Sequence, residues 1–295
     1  MKDNNFLLND VAIIILNYNS LEDTMRCVNA LLSFHDIAPH IVVVDNCSSD
    51  NSYDVLEENL SSKGIDVIKS DGNKGYSAGN NFGIKFAKKK YNINTIGIMN
   101  PDIVIPKSDV LINLYKNLWN YEDACIVGGV IKNSSNIIDS AWDIPSTKNL
   151  LLYHSIIPFV RKNKKNLSSQ QIDDNTFIVE CIVGCFFLAK LELFERIGMF
   201  DENVFLYNEE NILGLKCKNN GFIELLVNNQ YYFHNHKDSK RNHSFKSKIN
   251  VTRNSYLSRC YLCGNFYSKV FLPLLWLVEL LNKVYLGLIY IVSHH

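Results

Sequence analysis

The chain has 295 residues, 47% of them apolar and 12% aromatic, with 14 Gly and 6 Pro. That content supports a packed core and excludes a disordered, collagen-like or low-complexity protein. Thirty basic and thirty acidic side chains cancel, so the chain lacks the continuous positive footprint of a protein that grips nucleic acid along its length.

In chain order, Val11 to Leu16 is a buried strand, and Leu21, Met25, Val28 and Leu32 follow at helical spacing. Ile41 to Val44 is a second strand ending at Asp45, after which a polar turn, Asn46 to Ser52, leads into a helix with Val55, Leu56 and Leu60. Val67 and Ile68 mark a third strand, and a helix spans Tyr76 to Lys88. Thr95 to Met99 is the fourth strand, followed by Asn100-Pro101-Asp102 and a helix over Asp109 to Trp119. Residues 132 to 176 are polar and irregular, with a basic run at Arg161, Lys162, Lys164 and Lys165. Beyond them Phe177 to Val179, Val183 to Leu188 and Phe222 to Val227 read as strands, and Leu191 to Ile197 and Glu209 to Asn219 as helices. The alternation predicts an α/β fold with a mostly parallel sheet, helices on both faces and a ligand site beyond the carboxyl ends of the strands.

Eight cysteines, set mostly in apolar runs or helices, read as buried thiols of a reducing compartment. Cys260-x-x-Cys263 lacks the second pair that a zinc site needs. Val11 to Leu16 is too short for a secretory signal, and the expectation is a cytoplasmic protein. From Val270 to Val292 the sequence is long enough to cross a bilayer but is interrupted by Pro273, Glu279, Asn282 and Lys283. Two short helices lying on the membrane surface, with Trp276, Tyr285 and Tyr290 near the headgroups, fit that pattern better than a span.

Four polar clusters fall at strand ends: Asn17-Tyr18-Asn19, Asp45-Asn46, Gly72-Asn73-Lys74-Gly75 and Asn100-Pro101-Asp102. An Asp at such an end accepts hydrogen bonds from a pyrimidine N–H or a ribose hydroxyl, and glycines let the backbone approach a ligand. Together the clusters describe a nucleotide pocket. Asp-Asn-x-Ser-Ser-Asp is also good turn and helix-cap chemistry.

The segments VAIIILNYNS, IVVVDNCSSDNS, GNKGYSAGNNFGIKFA, IMNPDIVIP and VGCFFLAKLELFERIGMFDENVFLYNEENILGLKCKNNGF occur in the order and approximate spacing of family 2 glycosyltransferases. From about residue 10 to residue 245 the sequence resembles that family, and in particular its bacterial rhamnosyltransferase-like branch. The resemblance implies a GT-A fold over residues 1–245, with a nucleotide-binding half at about 10–130 and an acceptor-binding half at about 131–245, followed by a helical membrane-associating segment at 246–295. It also implies a nucleoside-diphosphate sugar donor, Mg²⁺ or Mn²⁺, and inversion at the anomeric carbon.

Carried over by position, Asn17, Tyr18 and Asn19 line the base, Asp45 reads the base or ribose, and Gly72, Asn73 and Lys74 form the turn beside the nucleotide. Asn100 and Asp102 stand where many members have Asp-x-Asp, with Asp102 the carboxylate that ties the diphosphate to the cation. Tyr207-Asn208-Glu209-Glu210 resembles the Glu-Asp motif that opens a helix and supplies the base. Glu210 matches the Asp position, with Glu209 the substitute; the helix dipole favours a carboxylate there as the anion. The family's second acidic position in this stretch falls on Ile212. His234 stands where relatives place a histidine that helps coordinate metal or diphosphate; His236 is its alternative, and Lys237, Lys240 and Arg241 extend a phosphate-closing loop. Gly184, Cys185 and Asp201 are assigned to the acceptor pocket, Asp201 also suiting a turn.

The expected partners are therefore a dTDP-rhamnose or UDP-sugar donor and a saccharide acceptor of cell-surface polysaccharide (O-antigen or capsule) synthesis. The acceptor would be polyprenyl-diphosphate-linked and met at the inner face of a bacterial plasma membrane, by a chain that could form a homo-oligomer. A dinucleotide oxidoreductase would need a glycine fingerprint where Asn17-Tyr18-Asn19-Ser20 stands, and a nucleotidyltransferase a glycine-rich, arginine-bearing loop at the same place. The non-enzyme alternative is a degenerate, membrane-bound glycosyltransferase-like scaffold, suggested by Asn100, Glu210 and Ile212.

Overall fold

A computed structural model describes residues 8–132, 137–138, 140–152, 167–235 and 245–293. Its elements begin with β1 (Val11–Asn17), α1 (Leu21–Leu32), β2 (His40–Asp45), α2 (Ser52–Leu60), β3 (Asp66–Lys69), α3 (Tyr76–Lys90), β4 (Thr95–Met99), β5 (Ile103–Val104) and α4 (Asp109–Asn120). They continue with β6 (Ala124–Lys132), β7 (Ile137–Ile138), β8 (Ala141–Trp142), α5 (Thr147–Leu152), β9 (Gln170–Gln171), β10 (Thr176–Val179) and β11 (Cys181–Ile182). The last are β12 (Phe186–Lys190), α6 (Leu191–Arg196), α7 (Glu209–Asn219), β13 (Ile223–His234), α8 (Phe245–Phe266) and α9 (Leu272–Ser293).

The main sheet runs β3-β2-β1-β4-β12-β6-β13-β10-β9. Strands β1 to β4 are mutually parallel in that sheet, β13 is parallel to β6, and β12 lies antiparallel between β4 and β6. Burial on both faces explains the unbroken apolar runs of β1, β2 and β4. One face packs Ile13, Ile15 and Val43 against α1, α2 and α4; the other packs Ile14, Val42 and Val44 against α3, α6 and α7.

Three features differ from the sequence reading. Residues 124–132, there left unassigned, form β6, a fully sheet-embedded strand next to β12 and β13. The stretch 132–176, read as irregular, holds β7, β8, α5 and β9, and its basic run at residues 161–165 lies outside the described residues. The stretch from Val270 to Val292, read as two short helices, is instead carried from Leu272 onward by one continuous helix, the 22-residue α9, preceded by the 22-residue α8. Pro273 is the second residue of α9, where a missing N–H costs the helix nothing.

Helices α8 and α9 share a small core with α5 and α7, built from Leu150, Leu151, Ile212, Leu262, Cys263 and Leu275. The inward side of α9 also buries Glu279 and Asn282, and Glu279 lies within electrostatic reach of buried Arg259 on α8. Outward, Leu274, Leu277, Leu281, Val284 and Leu288 form an exposed apolar stripe at spacings of three and four. Lys269–Ile289 is long and apolar enough to cross a membrane, with a mean hydropathy of 1.6. All eight cysteines are free.

Candidate active site

The parallel register places Asn17, the last residue of β1, beside Asp45, the last of β2. Both side chains are fully buried and satisfy each other. Asn17 Nδ2 donates to Asp45 Oδ2 at 2.8 Å and to Ser48 Oγ at 3.1 Å, while Thr24 Oγ1 donates to Asn17 Oδ1 at 2.9 Å. The Ser48 N–H donates to Asp45 Oδ1 at 2.9 Å. Asn19, in the left-handed region at φ 52°, accepts the Ser49 N–H, and Tyr18 projects outward, 48% exposed.

The turn at residues 72–75 is tied to this network through Asn46, whose Nδ2 donates to Asn73 Oδ1 and to the Gly75 carbonyl, each at 3.2 Å. Gly75 is the glycine this turn requires: its φ is +99°, and a Cβ there would sit 2.2 Å from the Phe205 carbonyl oxygen. Gly72 faces open space, and Lys74 is exposed and paired with Asp71 at 3.0 Å.

A cavity of about 460 Å³ opens at the same edge of the sheet, lined by Tyr76, Asn100, Trp142, Gly184, Cys185, Glu209, Glu210 and His234 among others. Pairing of β4 with β12 brings two of these segments together, and the Asn100 N–H donates to the Cys185 carbonyl at 2.8 Å. Antiparallel pairing of β5 with β13 sets His234 opposite Ile103, so His234 Nε2 meets Asp102 Oδ2 at 3.1 Å. From α3, Tyr76 OH donates to the Gly184 carbonyl at 2.7 Å. From α7, Glu210 Oε1 accepts the Gly184 N–H at 3.2 Å, and a Cβ on Gly184 would stand 3.0 Å from that oxygen. A glycine here lets the carboxylate lie against the backbone.

Glu209 and Glu210 open α7 behind a strained approach, since Tyr207 and Asn208 both have positive φ, 77° and 65°. The two carboxyls then differ. Glu209 is buried and its Oε1 has no hydrogen-bond partner; burial, then the neighbouring Glu210 charge, pushes its pKa from 4.5 up to about 8. Glu210 is more open and keeps a backbone N–H on one oxygen. Burial disfavours charge on His234, but the hydrogen bond to Asp102 and contact with Cys185 outweigh it and lift the imidazole to about 10. Burial, then the Glu210 charge, holds the Tyr76 phenol well above its ordinary value.

The donor set at Asp102 and His234 is one carboxylate and one imidazole. Among the described residues no group of three or more His, Cys, Asp or Glu forms a metal cage. Asp102 and His234 could hold a divalent cation that takes its remaining oxygens from a bound diphosphate, the cation displacing the proton that the pair shares without it.

Of the residues singled out from the sequence, Asn100, Gly184, Cys185, Glu209, Glu210 and His234 thus line one cavity, with Asp102 touching it through His234. Asn17, Asn19, Asp45 and Asn73 belong to the neighbouring strand-end network, while Tyr18, Gly72 and Lys74 lie on the same segments without bonding into it. Asp201 is not among the cavity residues: its carboxylate accepts the Asn203 N–H and the Tyr261 hydroxyl, the turn role its sequence context allowed. His236, Lys237, Lys240 and Arg241 lie outside the described residues. Sequence reasoning missed Tyr76, Trp142 and Asn211 as cavity residues. Tyr76 stands inside a quoted motif, but nothing local signals that its hydroxyl reaches the turn before β12, 108 residues on.

A central sheet whose β1–β4 half is parallel, with helices on both faces and a cavity at the carboxyl edge, is a GT-A fold. Residues 12–198 match the model of glycosyl transferase family 2, and the chain belongs to that family. It is 32% identical over 208 residues to the low-salt glycan biosynthesis hexosyltransferase Agl10 of Haloferax volcanii, covering 69% of this chain and 60% of that protein. The chain therefore spans less than two thirds of that relative's length. It is 27% identical over 213 residues to the rhamnosyltransferase WbbL of Escherichia coli K12, covering 70% of this chain and 76% of the relative. Among solved structures, the mannosyltransferase PcManGT of Pyrobaculum calidifontis, in complex with GDP-Man and Mn²⁺, superposes with a TM-score of 0.60 at 15% identity, over 94% of this chain and 69% of that one. GalNAc-T7 with UDP, GalNAc and Mn²⁺ follows at 0.55 and 18%, over 79% and 44%. At these identities the likeness carries the fold.

Proposed function

We propose that this glycosyltransferase moves a hexose from a nucleoside-diphosphate donor to a saccharide hydroxyl with inversion, Glu210 acting as the base. The observation that carries this reading is the meeting of Glu210, Asn100 and the Asp102–His234 pair at one cavity beside the Asn17–Asp45 strand ends. Solved relatives of the fold hold GDP-Man or UDP with Mn²⁺, which supports a donor of that class.

The nucleoside would lie along the ends of β1 and β2 with Tyr18 over the base, Asp45 and Asn17 fixing that wall, and the 72–75 turn beside the ribose or phosphates. Its diphosphate would reach Asp102 and His234, which would hold Mg²⁺ or Mn²⁺ there. Such a cation supplies charge neutralisation for a departing diphosphate. Glu210 accepts the proton of an acceptor hydroxyl as that oxygen bonds to the anomeric carbon on the face away from the diphosphate. The carbon–oxygen bond to the diphosphate breaks and the nucleoside diphosphate leaves. Glu209, buried and protonated near neutral pH, is the poorer base of the two. Gly184 and Cys185 would wall the acceptor side.

The likeness to the rhamnosyltransferase WbbL favours rhamnose, and that to the hexosyltransferase Agl10 a hexose more broadly, so the donor would be dTDP-rhamnose or a UDP-sugar, in synthesis of O-antigen, capsule or a related surface glycan. The exposed apolar stripe of α9, flanked by the exposed Lys283, suits contact with the inner face of a bacterial plasma membrane, where a polyprenyl-diphosphate-linked acceptor would be met. On this reading residues 1–245 are the transferase domain and 246–295 the membrane-associating segment.

Calorimetry with UDP-, dTDP- and GDP-sugars, with and without Mn²⁺, tests the donor. One class should bind, and more tightly with the cation; silence across the panel would overturn the assignment and favour a non-catalytic scaffold. Flotation with phosphatidylglycerol vesicles tests the membrane face: the protein should float, and a Leu277→Glu, Leu281→Glu, Leu288→Glu variant should stay at the bottom of the gradient. Equal flotation of both would refute that role for α9.

A further inference from the structure

The loop at residues 201–208 delivers Glu209 and Glu210 to the cavity, and α8 holds it at both ends. At the loop's end nearest the base, Asn208 is in the left-handed region behind an equally unusual Tyr207. Such a conformation persists only when the surroundings fix it. Here Asn208, itself buried, donates from Nδ2 to Ser258 Oγ at 2.8 Å and accepts at Oδ1 from Asn211 Nδ2 at 2.9 Å. Ser258 gives its own proton to the Ser255 carbonyl at 3.0 Å, which leaves its oxygen free to accept from Asn208. At the loop's start, Tyr261 OH donates to Asp201 Oδ2 at 2.9 Å and accepts from Asn203 Nδ2 at 3.1 Å.

Ser258 and Tyr261 are three residues apart on α8 and so present to the same side of the helix. Between the two grips, Val204 packs into the core that α8 and α9 share with α7. The middle of the loop is pinned from the opposite side, where the Phe205 carbonyl accepts the Tyr76 N–H at 3.0 Å and closes over Gly75. Helix α8, like the loop and α7, lies beyond residue 198, where the match to the family model ends.

We propose that Ser258 and Tyr261 are positioning residues: they hold the 201–208 loop so that the first turn of α7 presents Glu210 to the acceptor hydroxyl. This rests on the reading of Glu210 as base. Neither residue lines the cavity, so both act through Asn208 and Asp201. Ser258→Ala deprives the Asn208 amide of its acceptor and frees the strained pair to relax, which moves Glu210 relative to Gly184. A displacement of that order should lower turnover about 10- to 100-fold while leaving donor affinity within about twofold, because the nucleotide wall at Asn17 and Asp45 is untouched.

The test measures turnover, donor affinity and amide hydrogen exchange on the full-length protein and three variants. Ser258→Ala should lose turnover without losing donor affinity, and exchange across residues 201–211 should accelerate while that of β1 and β2 stays as in wild type. Ser258→Thr, which keeps the hydroxyl, should restore both readouts. Tyr261→Phe should show the same pattern more weakly, and it serves as the test if Ser258→Ala fails to fold. Wild-type exchange and turnover in a folded Ser258→Ala or Tyr261→Phe protein would overturn the proposal, as would a lowered melting temperature with no change in either. A wild-type protein that transfers no sugar would sink the functional reading; the exchange comparison alone would then decide whether the brace exists.

Discussion

The polar groups at the ends of β1 and β2 and those at the start of α7 are buried to a similar degree but organised in opposite ways. Asn17 and Asp45 complete each other's hydrogen bonds with Thr24 and Ser48 in a network that needs no ligand. At α7 the backbone is strained at two successive non-glycine residues and Glu209 leaves a carboxyl oxygen without a partner. A buried polar network is stabilising when every member is satisfied and costly when one is not. The first region therefore reads as a preformed wall, and the second as a site whose cost is tolerated for what it does.

That contrast can be broken most forcefully at Glu210. Glu210→Gln keeps the shape and the Gly184 contact but removes the base, so turnover should fall by about 10²- to 10⁴-fold with donor affinity retained. A variant with wild-type turnover would move the base elsewhere.

Glu209 should show its strain as a pH slope. Its carboxyl titrates at about 8 in the fold against 4.5 in the unfolded chain. Between those values the unfolded state has released a proton that the folded state still holds, so stability is highest below about pH 4.5 and declines as pH rises toward 8. Glu209→Gln should flatten that decline, a difference of at most about 5 kcal/mol across the window. Denaturant titrations at several pH values measure it; an unchanged slope would mean the carboxyl is ionised in the fold.

At the preformed wall, Asn17→Ala should cost about 1–3 kcal/mol, the penalty for leaving Asp45 and Thr24 short of partners in the core. The smallest effect belongs to Lys74, whose ion pair with Asp71 is exposed on both sides. Lys74→Ala should leave the melting temperature unchanged while weakening donor binding in calorimetry. If both stay at wild-type values, Lys74 has no part in donor recognition.

The same contrast governs what was legible in the sequence. Strands β1, β2 and β4 announce themselves because burial on both faces makes them unbroken apolar runs that stop at a polar strand end, and those ends are where Asn17, Asp45 and Asn100 were found. Strand β6 was not legible: Gly128 and Gly129 interrupt its apolar pattern. Their reason is tertiary, since a Cβ on Gly128 would meet Ile182 at 2.7 Å and one on Gly129 the Gln230 carbonyl at 2.6 Å. The Asp102–His234 pair was named residue by residue from a family resemblance. Only the short β5–β13 pairing, 132 residues apart in sequence, explains how the two meet. In α9, Glu279 and Asn282 read as interruptions of an apolar span. Both are buried, Glu279 within reach of Arg259 on α8, so the stripe from Leu274 to Leu288 stays apolar with the exposed Lys283 beside it. Ser258 carried no signal at all, because its meaning comes from a loop 50 residues upstream.

The central claim is that donor and base converge on the one cavity. A crystal structure with the tightest-binding nucleoside-diphosphate sugar and Mn²⁺ tests it directly. The account predicts the diphosphate and cation at Asp102 and His234, with the open face of the anomeric carbon turned toward Glu210. A donor whose diphosphate lies away from that pair, or whose anomeric carbon faces a wall without a carboxylate, would contradict it.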